Sequence, residues 1–227
     1  MRKEDIQEDR FQQFVNSVIK AYYKSPRDFY IGAGVLVVAV IAVIVLTTNK
    51  PKPNPEANVL FDQAVIMLMD QQRADTATVE QILTELARRY PSHPLGKRAH
   101  FYLGNINYAR GKYDDARREF EQFASSDRSD PWLSPSALMG VGNCYEQTGD
   151  LARAAAAYKK AYDRYPKWVL ADLNVKSAGR CYRLQGKFSE AARIYERYLK
   201  DNPKLKSEHL DEVKLLLANA KAMASKR

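Results

Sequence analysis

One phrase occurs three times in this chain, at residues 104–120, 142–158 and 179–195. Each copy opens with a glycine, places a second glycine seven residues later and an alanine five residues after that, and closes on an aromatic residue. Successive copies are offset by 38 and then 37 residues, a spacing typical of stacked helical hairpins. The repetition therefore predicts an all-α solenoid, which presents a surface for binding rather than a pocket for catalysis.

The residue types of the phrase have packing roles. Two helices approach closely only where side chains are small, which suits the opening glycines and the alanines. The second glycine of each copy is predicted to end the first helix in the left-handed conformation, which costs little without a Cβ. Asp114 and Ser189 are predicted to cap the second helices, and Pro166 and Pro203 to stop them.

The pattern resembles the tetratricopeptide repeat, a helical hairpin of about 34 residues. The copy at 135–168 matches through Val141, Gly142, Tyr145, Gly149, Ala154, Tyr158, Ala161 and Pro166. The copy at 172–205 matches through Ala178, Gly179, Tyr182, Gly186, Ala191, Tyr195 and Pro203. The copy at 97–130 keeps Leu103, Gly104, Gly111, Ala116 and Phe120, but has Asn107 and Arg128 where tyrosine and proline are usual.

The ends of the repeat region, 58–206, follow the pattern less closely. Residues 58–91 are either a degenerate fourth copy or a plain hairpin, because Tyr90-Pro91 echoes Tyr165-Pro166 although both glycines are missing. A capping helix is predicted over 207–227, where apolar residues recur at helical spacing: Leu210, Val213, Leu217 and Ala220.

Residues 29–48 carry no charge over the length that a helix needs to cross a hydrocarbon core of about 30 Å. We expect a transmembrane helix acting as an uncleaved signal anchor, since no small-residue cleavage site follows it. Residues 49–57 then form a stiff, proline-rich spacer. The flanking cations, Lys20, Lys24 and Arg27 before the span and Lys50 and Lys52 after it, favour a cytoplasmic N terminus. The repeat domain would then be periplasmic, anchored to the cell inner membrane.

Residues 1–28 are predicted to hold an amphipathic helix, since apolar residues recur at helical spacing: Phe11, Phe14, Val15, Val18, Ile19 and Tyr22. This helix could have a role in lying on the inner membrane surface or in packing against a partner, or it could merely fold against the membrane to hide its own apolar stripe. The formal net charge of +9 indicates a basic surface beside a membrane, because no nucleic-acid motif accompanies it.

Catalytic patterns do not occur in the sequence. His93, His100 and His209 lack metal-ligand spacing, and there is no phosphate loop, nucleophile elbow or paired cysteine motif. Cys144 and Cys181 occupy the same position in successive repeats, too far apart for a disulfide, and are predicted to be buried thiols. The sequence therefore predicts a protein that is not an enzyme and has no cofactor or metal.

The resemblance implies which residues bind a partner, because the first helix of each tetratricopeptide hairpin lines a groove. The positions that usually face it are Arg98, Phe101, Asn105, Tyr108, Ser136, Met139, Asn143, Glu146, Leu173, Lys176, Arg180 and Arg183. An asparagine amide can both donate to and accept from an extended peptide. The clamp that holds a C-terminal carboxylate in some members is not expected, because Phe101, Leu173 and Ser177 replace its basic residues. Phe101, Met139 and Leu173 could instead serve packing alone.

The whole arrangement resembles the ancillary subunit of the SecYEG translocon, the YfgM-like family. The resemblance implies a non-catalytic adaptor that binds polypeptides or partner proteins beside a secretion channel and assists translocation or envelope protein folding. Two alternatives remain open: a scaffold subunit of an envelope membrane complex, and an organelle import receptor with cytosolic repeats.

Overall fold

The computed structural model describes residues 53–69, 75–203 and 208–226, together with positions 13, 35, 37–39 and 41. The chain divides into two compact units, Met1–Lys52 and Pro53–Arg227, and the helices below belong to the second. In chain order they are α1 Pro55–Met69, α2 Thr76–Arg89, α3 Pro94–Ala109, α4 Tyr113–Ser126, α5 Leu133–Gln147, α6 Leu151–Arg164, α7 Ala171–Leu184, α8 Phe188–Asp201 and α9 Glu208–Ala224.

The helices form a stack of hairpins in which each packs mainly on its neighbours in the chain. The first helix of one hairpin also contacts the first helix of the next, as α3 does α5. Helix α9 packs on α8 and reaches α7, so it takes the place that the first helix of a further hairpin would occupy. The sequence predicted this repetition of helical hairpins.

The turn glycines end the first helices in the predicted conformation. Gly111, Gly149 and Gly186 have φ of 75°, 79° and 70°, in the left-handed region that favours glycine. The amide of the following residue reaches back five residues, as Lys112 N does to the carbonyl of Asn107 at 2.9 Å. This is the hydrogen bond of a Schellman motif, which satisfies carbonyls that the helix end would leave unpaired.

The opening glycine of each phrase lies against its closing aromatic ring. A Cβ placed on Gly104 would come 2.7 Å from Phe120, and one on Gly142 would come 2.6 Å from Tyr158. Gly179 has the same relation to Tyr195. Only glycine therefore lets the two helices of a hairpin approach as closely as they do.

Among the described residues the core forms three clusters along the stack. One lies among α1, α2 and α3, the second joins α4, α5 and α6, and the third extends from α6 to α9. Cys144 and Cys181 are free, buried thiols in the second and third clusters, as predicted. Burial raises the pKa of Cys144 to about 12 and that of Cys181 to about 11.

Two details of the helix starts differ from the sequence prediction. Helices α4 and α8 begin after Lys112 and Lys187, which make no capping hydrogen bond, so Asp114 and Ser189 lie inside the first turn rather than at the cap. Only α6 of these three second helices has a side-chain cap, where Asp150 accepts from the amide of Arg153 at 2.9 Å. Helix α1 begins at Pro55, so the last three residues of the predicted spacer are helical. Proline at the first helical position is favourable because its missing amide hydrogen has no partner there.

The predicted membrane segment falls largely outside the described residues. Positions 35, 37–39 and 41 of the interval 29–48 are described as helical and exposed. No helix among the described residues combines the length and hydropathy required to cross a bilayer. The predicted amphipathic helix at 11–22 likewise lies outside the described part of the chain, apart from position 13.

Candidate protein-binding surface

Side-chain contacts connect the first helices of successive hairpins, α1, α3, α5, α7 and α9, into one surface, here called the odd-helix face. The rings of Phe61 on α1 and Tyr102 on α3 lie 5.6 Å apart, edge to face. Arg180 on α7 binds Glu146 on α5. The ten residues predicted to bind a partner all lie on α3, α5 and α7: Arg98, Phe101, Asn105, Tyr108, Met139, Asn143, Glu146, Lys176, Arg180 and Arg183.

Three of the predicted residues meet in one network at the centre of this face. The Arg180 guanidinium donates from Nε and Nη2 to the two carboxylate oxygens of Glu146, at 2.9 and 2.7 Å. The hydroxyl of Tyr158 lies 2.9 Å from Glu146 Oε2 and 2.6 Å from the side-chain oxygen of Asn143. The two-point geometry of the ion pair fixes the direction of both side chains.

The network has a buried and an exposed end. The Tyr158 side chain is 1% exposed, and burial, reinforced by the hydrogen bond to Glu146, raises the pKa of its hydroxyl. The Arg180 side chain is 54% exposed, and its hydrogen bonds to Glu146 raise the pKa of the guanidinium. Arg180 and the amide nitrogen of Asn143, which has no partner among the described residues, are thus held at the surface by an anchored tyrosine.

The apolar end of the face is made by α3. Phe101 is half-buried, with its ring 5.9 Å from Phe120 and 5.8 Å from Phe123. Tyr108 packs edge to face on Tyr113 at 5.3 Å. Asn105 is exposed between them, and its Nδ2 donates to the backbone carbonyl of Phe101 at 2.9 Å. This end therefore presents aromatic edges beside an amide oxygen.

Two further predicted residues have mainly packing or structural contacts. Met139 is half-buried and packs against the third core cluster. Arg98 donates to Asp130 at 3.0 Å, and that carboxylate also accepts from the backbone amides of Trp132 and Leu133 at the start of α5. Arg98 therefore fixes the loop before α5 rather than projecting freely from the face.

Three basic residues of the face, Lys176, Arg180 and Arg183, carry less free charge than their number in the sequence suggests. Lys176 lies 3.2 Å from Asp172 and 2.7 Å from Glu212 on α9, and only 16% of its side chain is exposed. Arg180 is paired with Glu146, as described above. Arg183 is exposed at the last turn of α7, and its charge acts on the nearby hydroxyl of Tyr195, whose pKa burial raises.

Sequence reasoning missed two partners that define the surface. The repeat phrase explains Tyr158 by packing alone, although the equivalent residue Phe120 shows that packing does not need a hydroxyl there. A tyrosine at a position that accepts phenylalanine is a signal of a polar partner. Glu212 is on α9, and its approach to Lys176 depends on how that helix docks, which periodicity alone does not specify.

Comparison with known proteins agrees with this architecture. A tetratricopeptide-repeat model matches residues 68–131 and 108–167, and a second model of the same repeat matches residues 176–207. A structure of nearly identical TPR-like repeats from Podosopora anserina superposes with a TM-score of 0.58 at 16% identity, covering 77% of this chain and 91% of that one. A tetratricopeptide repeat protein from Parabacteroides merdae gives 0.58 at 17% identity, covering 74% of this chain and 61% of that one. At these identities the likeness concerns the fold alone.

No curated protein matches the sequence significantly. Tetratricopeptide repeats bind other proteins or peptides and are typically non-catalytic scaffolds, which agrees with a surface built from hydrogen-bonding amides, aromatic edges and ion pairs. The matched repeats, together with the stacked hairpins, show that the chain belongs to the tetratricopeptide-repeat family.

Proposed function

We propose that this protein is a membrane-anchored adaptor whose odd-helix face binds extended or helical segments of other proteins. The observation that carries the proposal is the central network, because Tyr158 and Glu146 hold Asn143 and Arg180 in place before a partner arrives. Groups that are already ordered lose less conformational entropy on binding, which favours recognition of a flexible segment.

The chemistry of the face fits a polypeptide. The free amide nitrogen of Asn143 can donate to a backbone carbonyl, and the amide oxygen of Asn105 can accept from a backbone N–H. Phe101 and Tyr108 offer apolar contact for one side chain of the segment. Arg183 adds a positive charge at the far end, where an acidic side chain or a C-terminal carboxylate would be favourable.

The membrane part of the proposal comes from the sequence. An uncharged segment at 29–48 followed by prolines would anchor the repeats close to a bilayer, and the flanking cations favour repeats on the periplasmic side. In that position the adaptor would meet polypeptides as they leave a secretion channel and assist their translocation or folding.

A pull-down with the full chain in detergent tests the binding face. Asn143→Ala combined with Arg180→Glu removes the central donor and reverses the charge beside it, so capture of partners should fall strongly. Arg193→Glu on α8 makes the same charge change away from the face and should leave capture unchanged. Equal partner sets for the wild type and the double variant would rule out the assignment of the face.

Crosslinking distinguishes an adaptor from a scaffold. A photo-crosslinker in place of Tyr108 or Arg180 should capture many secreted chains if the protein is a translocon adaptor. Capture of one or two fixed partners would instead indicate a structural subunit of an envelope complex.

Membrane topology is tested separately with Lys226→Cys and an impermeant thiol reagent. Labelling from the periplasmic side is expected, with little background because both native cysteines are buried. Labelling only from the cytosolic side would contradict the periplasmic location and favour an import receptor.

A further inference from the structure

The second helices of the hairpins carry a cleft that the proposed function does not use. It lies between α4 and α6 over α5 and has a volume of about 440 Å³. Its apolar lining comes from Ala124 on α4, Leu138 and Val141 on α5, and Ala157 on α6. Its rim carries Arg128, Lys160 and Arg164. A cleft of this size accommodates a large apolar side chain with its flanking backbone.

The register of the repeats explains why the cleft is open here. Ala124 on α4 is equivalent to Tyr162 on α6, 38 residues later. Between α6 and α8 the Tyr162 ring lies 5.9 Å from the ring of Tyr198, and its hydroxyl donates to Asp201 at 2.8 Å. Tyr162 thus occupies the gap between α6 and α8, whereas alanine leaves the gap between α4 and α6 empty.

The same register explains the charge of the cleft. Lys160 is equivalent to Arg197 on α8, whose guanidinium pairs with Asp163 on the preceding second helix. The residue that corresponds to Asp163 on α4 is Ser125, so Lys160 lacks the acid that pairs with Arg197, and it forms no ion pair among the described residues. Among the described residues Arg128 and Arg164 also have no ionic partner, and Glu121, the one acid of the lining, binds Arg117 at 3.0 Å.

The cleft is held open by fixed groups at both ends. The hydroxyl of Tyr165 donates to the backbone carbonyl of Arg128 at 3.1 Å, which fixes the loop after α4. At the other end two guanidinium groups pack on the ring of Tyr145, that of Arg117 at 5.3 Å and that of Arg153 at 4.8 Å from the ring centroid. The shape therefore does not depend on a bound partner.

We propose that this cleft docks an acidic segment of a partner protein, with one apolar side chain of that segment seated between Ala124 and Ala157. Three cations without an acidic partner around an apolar floor are complementary to such a segment in both charge and polarity. None of the residues that line the cleft is among the predicted groove residues, so the site is separate from the odd-helix face and could be occupied at the same time.

Fluorescence anisotropy with the full chain in detergent tests the proposal. The probe is a fluorescein-labelled peptide with the sequence Glu-Asp-Glu-Phe-Asp-Glu. Ala124→Tyr should fill the cleft as Tyr162 does, and Ser125→Asp should supply Lys160 with the missing acid. Each is expected to weaken binding by about tenfold or more, since each removes one of the two complementary features. Ser189→Asp, which adds the same charge to α8, should leave the affinity unchanged.

The specificity of the probe provides the contradicting outcomes. A peptide with glycine in place of phenylalanine should bind more weakly, and equal affinity would overturn the proposal in favour of unselective charge attraction. Unchanged affinity of the phenylalanine probe for both Ala124→Tyr and Ser125→Asp, each folded by circular dichroism, would overturn it as well. The proposal would also be overturned if these two variants no longer bound vesicles of anionic lipid or a single-stranded oligonucleotide but still bound the peptide.

Discussion

Tyr158 packs directly against Gly142, so that a Cβ on this glycine would come 2.6 Å from the Cδ1 atom of the ring. The same tyrosine reaches Asn143 and Glu146 with its hydroxyl. The closeness of two helices within one hairpin therefore determines where the polar groups of the odd-helix face lie.

Gly142→Ala should lower the free energy of unfolding by about 1–3 kcal/mol, because the added methyl group overpacks the ring. Most of this loss should disappear when Tyr158→Leu is introduced as well, and urea unfolding of the four proteins measures the coupling. Gly111→Ala is the matched control, since its Cβ would meet no neighbour and its cost comes from the backbone alone. Equal cost of Gly142→Ala in both backgrounds would contradict the contact.

Asn174→Ala should raise the free energy of unfolding by about 1 kcal/mol. The Asn174 side chain is 1% exposed, and among the described residues neither polar atom of its amide has a hydrogen-bond partner. The equivalent residues of the two preceding hairpins are Ala99 and Ala137, so alanine fits this site. Asn202→Ala should instead lose stability, because Asn202 Nδ2 donates to the carbonyl of Tyr198 at 2.9 Å. Thermal unfolding of both variants measures the sign of the change in stability relative to the wild type.

Stability should fall with rising pH above about pH 10, the ordinary pKa of tyrosine. Burial and hydrogen bonds to carboxylates raise the pKa of Tyr158 and Tyr162 in the folded protein. Above that pH the unfolded chain releases protons that the folded chain retains, so unfolding becomes more favourable. Below it both states hold the proton and the contribution is constant.

Urea unfolding of the wild type and Tyr158→Phe between pH 8 and pH 11 measures this effect. The difference in unfolding free energy should be constant up to about pH 9.5 and then change by up to about 1.4 kcal/mol per pH unit. Parallel curves over the whole range would show that the hydroxyl titrates alike in both states.

Cys144 and Cys181 should react slowly with Ellman's reagent in the folded protein and rapidly in urea. Burial removes access and raises the pKa of both thiols, which lowers the fraction of reactive thiolate. The variant Lys226→Cys supplies an exposed thiol as an internal reference. Rapid labelling of more than this one thiol under native conditions would contradict the burial of the native pair.

The repeat phrase predicted those parts of the fold that depend on local conformation and on residue size. The left-handed glycines at 111, 149 and 186 and the small residues at the helix contacts follow from steric limits that apply within one hairpin. The helix caps were harder to predict, because a shift of two residues in the start of α4 moves Asp114 from the cap into the first turn.

The candidate sites depend on contacts between hairpins, which a single sequence specifies poorly. The pair Glu146 and Arg180 is separated by 34 residues, and its bidentate geometry requires the spacing of α5 and α7. The repeat phrase places both residues on first helices, but it does not show that Arg180 is paired with Glu146. Similarly, the open cleft beside Ala124 could not be predicted without the structure, which shows that the equivalent Tyr162 fills the gap between α6 and α8.

The division of the core into three clusters has a mechanical consequence. Each cluster is built from adjacent hairpins, so the apolar contacts that stabilise the stack connect only neighbouring hairpins. When the two ends of such an array are pulled apart, hairpins can detach one after another instead of all together. The repeat region would then lengthen in steps under load.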